Sequence, residues 1–248
     1  MGFKLSDWVK WRLDSKRNTF VVITGEGQSG KTSLGMVLCM KTFKDFDLDC
    51  IAFPAERFLE LIKNRPNSAI LLEDAGVGWG SANWKSKVNR AISYAAQTCG
   101  LKHQLIVLTA PSIYMLDPNA RRLMQIQIDM KDRGFGIISK VKENKRTKQL
   151  IFAPLKFKFN GHTTRIPSYR VGRPPEEMFL EFEERKNRYL DGFYSGLIQE
   201  VKVKDSDEMN EVYRDYEVIG SYRKVARKRG ISESKAYRLI KQWEIENK

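Results

Sequence analysis

The chain has 248 residues, of which 42% are hydrophobic and 30% charged, and its formal net charge is +14. This length suits one sizeable core with a small appended module. No apolar run approaches the ~18 residues of a membrane span, and the charged N-terminus lacks the apolar stretch of a secretory signal. We therefore predict a cytoplasmic protein without a membrane partner. The positive charge favours a polyanionic partner, most simply nucleic acid.

The first predicted elements are a short amphipathic helix over residues 6–13 and an apolar strand over residues 20–23. The segment Gly25 to Thr32 then reads Gly-Glu-Gly-Gln-Ser-Gly-Lys-Thr, a complete G-x-x-x-x-G-K-[ST] motif. A helix-like stretch from Ser33 follows. Because the motif lies between a strand and a helix, it predicts a P-loop that binds a nucleoside triphosphate.

The chemistry of this loop explains its residue types. Glycines let consecutive backbone N–H groups converge on phosphate, and the new helix adds its positive N-terminal end. Lys31 is placed to reach the β- and γ-phosphates, and the Thr32 hydroxyl to bind Mg²⁺. We predict that ATP is held by Gly25, Glu26, Gly27, Gln28, Ser29, Gly30, Lys31, Thr32 and Ser33.

A second strand is predicted over residues 49–53, a helix over 55–63, and an apolar strand over 68–74 whose last two residues are Glu73 and Asp74. One carboxylate of such a pair can hold the magnesium shell while the other orients or deprotonates the attacking water. The usual order in this class of enzyme is Asp then Glu. We assign Glu73 to the metal and Asp74 to the water, and the two roles are interchangeable at this stage.

A long helix over residues 83–100 and a buried strand over 105–109 come next. Continuous apolar strands that alternate with helices predict a parallel sheet covered on both faces. Thr109, at the end of its strand, is a candidate sensor of the γ-phosphate, or alternatively a cap of the following turn.

Arginines further along the chain are candidates to complete the site of a neighbouring subunit. Arg121 and Arg122 are the main pair, and Arg90 is a weaker candidate. An arginine that reaches a neighbour's γ-phosphate would stabilise charge in the transition state. The alternative is a solvated or DNA-facing pair. Since ATP sites of this kind are commonly completed by a neighbour, we expect a homo-oligomer.

From about Met124 the pattern changes to strands with polar interruptions, over residues 124–128, 136–141 and 149–153. These predict an antiparallel extension of the sheet. A charged helix over 176–190 follows, and the polar, aperiodic residues 199–208 predict a linker. The predicted organisation is an ATPase domain over 1–198, this linker, and a module over 209–248.

Residues 220–243 have the pattern of a helix-turn-helix, with residues 210–218 as a supporting helix. Gly230 permits the tight turn and Ser232 can cap the second helix. The alternative is a helical hairpin that packs on the ATPase core. Dense positive charge favours binding of double-stranded DNA, and the predicted contact residues are Arg223, Lys224, Arg227, Lys228, Arg229, Ser234, Lys235, Arg238, Lys241 and Gln242.

The predicted fold class is therefore α/β: a P-loop NTPase with a mainly parallel sheet flanked by helices, an antiparallel β extension and a small all-α module. A GTPase is disfavoured because residues 144–147 lack the aspartate of the base-reading Asn-Lys-x-Asp motif. A small-molecule kinase remains open. A strand inserted between the P-loop strand and the carboxylate strand, as in oligomeric DNA-acting ATPases, would argue against it.

The first 200 or so residues resemble the P-loop ATPases of archaeal viruses and plasmids, sometimes called DnaA-like or AAA-type, and also packaging ATPases. The resemblance is carried by Gly25–Thr32, Ile70–Asp74 with Ala75-Gly76, Leu108–Ser112, and Ile166-Pro167 before a charged helix. The C-terminal stretch resembles the DNA-binding helix-turn-helix of resolvase-type and homeodomain-like domains. The resemblance implies a role in replication initiation, maintenance or packaging of the element's own genome.

The leading hypothesis is an Mg²⁺-dependent ATPase that acts on DNA. Two alternatives stay open. One is a transcriptional regulator switched by bound nucleotide with little turnover, and the other is a small-molecule kinase with an accessory helical tail.

Overall fold

The computed structural model describes residues 4–17, 19–73, 93–95, 101–116, 118–144, 146–147, 149–159, 162–170 and 172–247. The chain divides into two compact units, Met1–Lys186 and Asn187–Lys248. The described helices are α1 (Leu5–Asp14), α2 (Lys31–Thr42), α3 (Ala55–Asn64), α4 (Pro118–Arg122), α5 (Glu176–Ile219), α6 (Tyr222–Arg229) and α7 (Glu233–Glu246). The strands are β1 (Thr19–Thr24), β2 (Ile51–Ala52), β3 (Ala69–Leu72), β4 (Leu105–Ala110), β5 (Ile126–Asp132), β6 (Phe135–Glu143), β7 (Leu150–Phe159), β8 (His162–Ile166) and β9 (Ser168–Arg170).

The strands form one sheet in the order β2-β3-β4-β1-β5-β6-β7-β8, with β9 also paired to β6. Every pairing among β1 to β5 is parallel, and every pairing that involves β6 to β9 is antiparallel. The predicted α/β class, with a parallel sheet and an antiparallel extension, is confirmed. Strand β4 lies between β1 and β3, so the strand that precedes the glycine-rich loop is separated from the strand that precedes Glu73.

The register of the parallel strands brings three chain segments to one edge of the sheet. Thr24 of β1 pairs with Ala110 of β4, and Leu72 of β3 pairs with Leu108 of β4. The carboxyl ends of β1, β3 and β4 therefore meet, and the residues that follow each strand come together there. This is the edge at which open parallel sheets usually bind ligands.

Two buried clusters cover the two faces of the sheet. One contains α1, α2 and the first turns of α5, with Trp8, Leu34 and Phe182 among its buried side chains. The other contains α3, whose Phe58 and Leu61 pack on the opposite face. Strands β1, β3 and β4 are buried on both faces, and they are therefore mostly apolar, as parallel strands between two helical layers usually are.

Two predicted elements differ from the structure. Strand β2 has only two residues, because the Asp47 side chain accepts a hydrogen bond from the Cys50 amide and stabilises a short 3₁₀ turn immediately before it. The segment predicted as a linker, residues 199–208, lies inside α5, a single helix of 44 residues. Its polar composition was misleading, because that stretch has no proline or glycine to stop a helix. The helix ends before Gly220, which has φ +67°.

Other predicted elements have different outcomes. The helix over 6–13 and the helix over 55–63 are confirmed with small shifts of boundary. The three strands of the extension are also present, but β5 ends four residues later than predicted and β7 six residues later. Strands β8 and β9 were not predicted. Most of the helix expected over 83–100 lies outside the described residues, although residues 93–95 are helical. Within the described part of the chain, no helix is apolar enough over a sufficient length to cross a membrane.

Candidate functional site

The loop between β1 and α2 requires glycine at two of its positions. Gly25 has φ +147° and Gly30 has φ +86°, values that side-chain-bearing residues rarely adopt. A Cβ atom added to Gly25 would also lie 2.7 Å from Cβ of Met130 on β5. The backbone needs of the fold therefore explain the first and last motif glycines, whereas a Cβ at Gly27 would meet open space.

The start of α2 offers several unused hydrogen-bond donors. The helix begins at Lys31, with Gly30 at the N-cap. The first helical hydrogen bond is the one that the Leu34 amide donates to the Gly30 carbonyl oxygen. The amides of the first turn consequently have no partner inside the helix, an arrangement that favours an anion. The Ser29 hydroxyl is buried and has no hydrogen-bond partner among the residues described. The loop thus has the donor chemistry of a phosphate site.

The Lys31 side chain lies on the loop itself. It is buried, and its Nζ donates to the carbonyl oxygens of Gly25 at 3.0 Å and Glu26 at 2.7 Å. Two carbonyl dipoles therefore partly compensate the ammonium charge. The contact keeps this cation beside the open amides at the start of α2.

Glu73 is the centre of a buried polar network. Its carboxylate is 2% exposed. Thr32 Oγ1 donates to Glu73 Oε1 at 2.7 Å, and Thr109 Oγ1 donates to Oε2 at 2.9 Å. Lys186 Nζ also donates to Oε1, at 2.8 Å. A buried carboxylate is costly unless its oxygens are hydrogen-bonded and its charge is paired, and these three contacts meet both needs.

The fold explains how these residues meet. Glu73 directly follows β3, Thr109 is near the end of β4, and Thr32 is in the first turn of α2. All three therefore lie at the carboxyl edge of the sheet. The structure brings together four of the predicted site residues, namely Lys31 and Thr32 at the loop and Glu73 and Thr109 at the strand ends. Asp74 and Arg90 lie outside the described residues.

Lys186 was missed by the sequence reasoning. It is 113 positions from Glu73, and its neighbours in a charged helix indicate a solvated surface. Contacts of the preceding turn hold it in place. Arg185 Nη1 lies 2.7 Å from Asp49 Oδ1, and the Phe182 ring stacks on Phe53 at 5.8 Å between centroids. The hydrogen bond from Arg185 also lowers the pKa of Asp49.

The two arginines of α4 contact residues of their own chain. Arg122 Nε lies 2.7 Å from Glu143 Oε1, and the Arg121 guanidinium lies 5.3 Å from the centre of the Tyr114 ring. Together with Tyr114 they line a cleft of about 550 Å³. A role toward the site of a neighbouring subunit stays a prediction.

The donor set at Glu73 fits a magnesium ion better than a soft metal. It consists of hydroxyl and carboxylate oxygens, which are hard ligands. Among the described residues, no group of three or more His, Cys, Asp or Glu side chains is close enough to hold a metal alone. Mg²⁺ is commonly held by one or two protein oxygens together with substrate phosphates and water. Thr32 and Glu73 are suited to that kind of site.

The second unit is a three-helix arrangement made by the last turns of α5 together with α6 and α7. Its core contains Val212, Val225 and Ile240, and the Tyr213 ring stacks on Trp243 at 3.5 Å between centroids. Gly230 adopts a left-handed conformation with φ +65° at the end of α6. The Ser232 hydroxyl accepts from the Lys235 amide at the start of α7. These features confirm the predicted helix–turn–helix geometry.

Many of the predicted DNA-contacting cations form ion pairs within this unit. Lys228 lies 2.6 Å from Asp215, and Arg229 pairs with both Asp215 and Glu211. Three further pairs join Arg223 to Glu233, Lys235 to Glu208 and Lys241 to Glu244. The unit's own acids thus pair with part of the positive charge that had favoured DNA. Three of the predicted cations, Lys224, Arg227 and Arg238, are exposed and appear in none of these pairs.

Comparison of the sequence with protein-family models and with curated proteins identified no relative. No protein-family model matches the chain, and no curated protein shows significant similarity to it. The functional interpretation therefore rests on the residues and geometry described above.

Proposed function

We propose that the chain is a P-loop nucleoside triphosphatase that binds Mg·ATP and acts on DNA. The observation that carries this proposal is the contact of the Thr32 hydroxyl with Glu73 at the carboxyl edge of the sheet. In this interpretation, Thr32, the last residue of the glycine-rich motif, and Glu73, the buried acid that follows β3, both bind the same Mg²⁺ ion. Lys31 lies beside the same edge.

Each residue then has a distinct task. The amides of the first turn of α2 bind phosphate oxygens, and the Lys31 ammonium exchanges two loop carbonyl oxygens for the β- and γ-phosphates. Thr32 and Glu73 hold Mg²⁺, which supplies positive charge to the phosphates when bound. Thr109 orients Glu73 through its hydrogen bond, and we keep it as the candidate sensor of the γ-phosphate. Asp74 is the proposed base for the attacking water.

The strand order favours this proposal over a small-molecule kinase. Strand β4 separates the P-loop strand β1 from the strand β3 that ends at Glu73. The additional strand is typical of ATPases that assemble on DNA. The motif resemblance described above further suggests replication initiation, maintenance or packaging of a viral or plasmid genome, with a helix-turn-helix as the DNA-binding module.

The proposal is tested by measuring Mg·ATP binding and phosphate release with wild type, Lys31→Ala and the control Lys44→Ala, each with and without duplex DNA. Lys44 is an exposed lysine shortly after α2. We expect Lys31→Ala to weaken Mg·ATP binding at least about tenfold, because it removes a cation that contacts the phosphates. The control variant should behave as wild type.

The possible outcomes separate the candidate functions. If calorimetry detects no binding of any Mg·NTP by the wild-type chain, the proposal fails. If labelled γ-phosphate is transferred to a metabolite rather than to water, the chain is a kinase. If ATP changes DNA affinity without measurable turnover, it is a nucleotide-switched regulator.

A further inference from the structure

The positive charge of this chain is concentrated in the antiparallel part of the sheet. Residues 126–170, which span β5 to β9, contain 11 Lys and Arg against three Asp and Glu, a balance of +8. The second unit, residues 187–248, contains 13 Lys and Arg against 11 Asp and Glu, a balance of +2. The charge that favours a polyanion therefore lies mainly outside the helix-turn-helix.

The strand registers place several of these cations on one face of the extension. Residues directly opposite each other in an antiparallel pair share a face, as do residues two apart along a strand. Lys156 of β7 is opposite Arg165 of β8, and Ser139 of β6 is opposite Pro154 of β7. Phe135 of β6 is opposite Arg170 of β9 in the same way. We call this surface the open sheet face, and its principal residues are Ile137, Phe152, Lys156, Lys158, Arg165 and Arg170.

The two faces of the β7–β8 hairpin have opposite character. Leu155 and Phe157 point into the core, where the Trp11 ring of α1 meets Phe157 edge-on at 5.1 Å between centroids. Lys156 and Lys158 alternate with them and are exposed. This alternation is typical of a sheet with one buried and one solvated face.

Apolar side chains lie among the cations of the open sheet face. Phe152 is 38% exposed and Ile137 is 42% exposed. Nearby, the guanidinium of Arg170 lies 4.6 Å from the centre of the Phe135 ring. Proteins that bind single strands combine cations for the phosphates with aromatic rings on which unstacked bases rest. A duplex, whose bases are already stacked, makes no use of such a ring.

The three acids of the extension do not neutralise these cations. Asp129 lies 2.6 Å from Lys131, and Glu143 lies 2.7 Å from Arg122 of α4. Asp132 accepts a hydrogen bond from the amide of the next residue. In the part of the chain that the structure describes, no carboxylate pairs with the two lysines of β7 or with Arg165.

We propose that the open sheet face binds single-stranded nucleic acid, with Lys156, Lys158 and Arg165 on the phosphates and Phe152 against a base. This inference deepens the proposed function, because it assigns a nucleic-acid site to the ATPase unit in addition to the helix-turn-helix. The face begins next to the glycine-rich loop. A Cβ added to Gly30 would lie 3.6 Å from the amide nitrogen of Gly134, in the turn that leads into β6.

The test measures fluorescence anisotropy of a labelled oligothymidylate of about 30 nucleotides, long enough to span such a domain. It compares wild type with a sheet triple variant (Lys156→Gln, Lys158→Gln and Arg165→Gln) and a control triple variant (Lys10→Gln, Lys44→Gln and Lys63→Gln). The control removes three exposed lysines of the same unit. All substituted positions are on the surface, so the fold should persist. Thermal melts of each variant check this.

We expect the sheet triple variant to bind about a hundredfold more weakly near 0.1 M salt, because each phosphate contact on a single strand contributes roughly 0.7 logarithmic units there. The slope of log affinity against log salt should fall by about 2. Phe152→Ala should weaken binding about tenfold through lost stacking. The control triple variant should lose much less affinity and keep the wild-type slope.

Several results would overturn the inference. One is equal binding of the oligothymidylate by the two triple variants, and another is no binding by wild type. A loss restricted to a duplex of the same length would mean that the face holds duplex. If the sheet triple variant sediments differently from wild type but binds the oligothymidylate equally well, the open sheet face is a contact between copies of the chain. Mg·ATP binding, measured separately, should be the same in all variants, so failure of the proposed ATP site would be visible independently.

Discussion

The ion pair between Lys186 and Glu73 gives a quantitative prediction. Substituting Lys186→Gln leaves the Glu73 carboxylate, 2% exposed, without a cation, although its bonds from Thr32 and Thr109 remain. Breaking a fully buried pair costs roughly 3–5 kcal/mol. Because the Lys186 side chain is 27% exposed, water can reach the site and the cost should be lower. We expect a loss of about 2 kcal/mol.

Thermal denaturation without nucleotide measures this effect. For a unit of this size, about 2 kcal/mol corresponds to a fall in Tm of roughly 4–8 °C. In a Glu73→Gln background the same Lys186→Gln change should cost little, since no buried charge remains to be paired. The double-mutant cycle should therefore give a coupling of about 2 kcal/mol. Lys10→Gln, an exposed lysine of α1, serves as the control with an expected effect within about 0.5 kcal/mol.

The reasoning would be refuted if Lys186→Gln unfolds within about 0.5 kcal/mol of wild type, or if its cost is unchanged in the Glu73→Gln background. A result of the first kind would mean that the ion pair does not form in solution. The second kind would mean that the lysine stabilises α5 by packing alone.

Two further predictions concern the glycine-rich loop and the helix-turn-helix unit. Gly25→Ala should lower the Tm and weaken Mg·ATP binding, because the new methyl group would clash with Met130 and alanine rarely adopts the φ of this position. Gly27→Ala, where the added methyl group meets open space, should do neither. Equal effects of the two substitutions in thermal melts and calorimetry would contradict this. Hydrogen bonds from Lys228 and, to a smaller extent, from Arg229 lower the pKa of Asp215. The ionised Asp215 therefore stabilises the fold at pH values above its unfolded pKa of about 4, and this stabilisation is lost as the pH falls through the lower folded pKa. Asp215→Asn should lose stability at neutral pH and show a shallower acid decline in melts followed by tryptophan fluorescence, and parallel pH profiles for the two proteins would argue against the pair.

Local features of this protein could be predicted from the sequence because their physical causes are local. The residues from Gly25 to Thr32 combine backbone conformations that only glycine tolerates with a lysine and a hydroxyl at the start of a helix. Gly230 and Ser232 mark a helix end and a helix start for the same reason. Buried parallel strands are recognisable because both of their faces must be apolar.

Only the tertiary structure decided the contacts between distant segments. The insertion of β4 between β1 and β3 depends on strand pairing, which no local pattern encodes. Lys186 meets Glu73 because α5 packs on the sheet, and in the sequence it is one of many charges on a helix. The helical course of residues 199–208 was hidden by their polarity.

The pairing of positive charges with acids was likewise decided by the tertiary structure. Composition establishes an excess of +14, but not which cations have acidic neighbours. Folding pairs Lys228 and Arg229 with acids of α5, while Lys156 and Arg165 come together across two strands of an exposed face. Charge is a property of the residue and can be counted, whereas its compensation depends on distances that only folding creates.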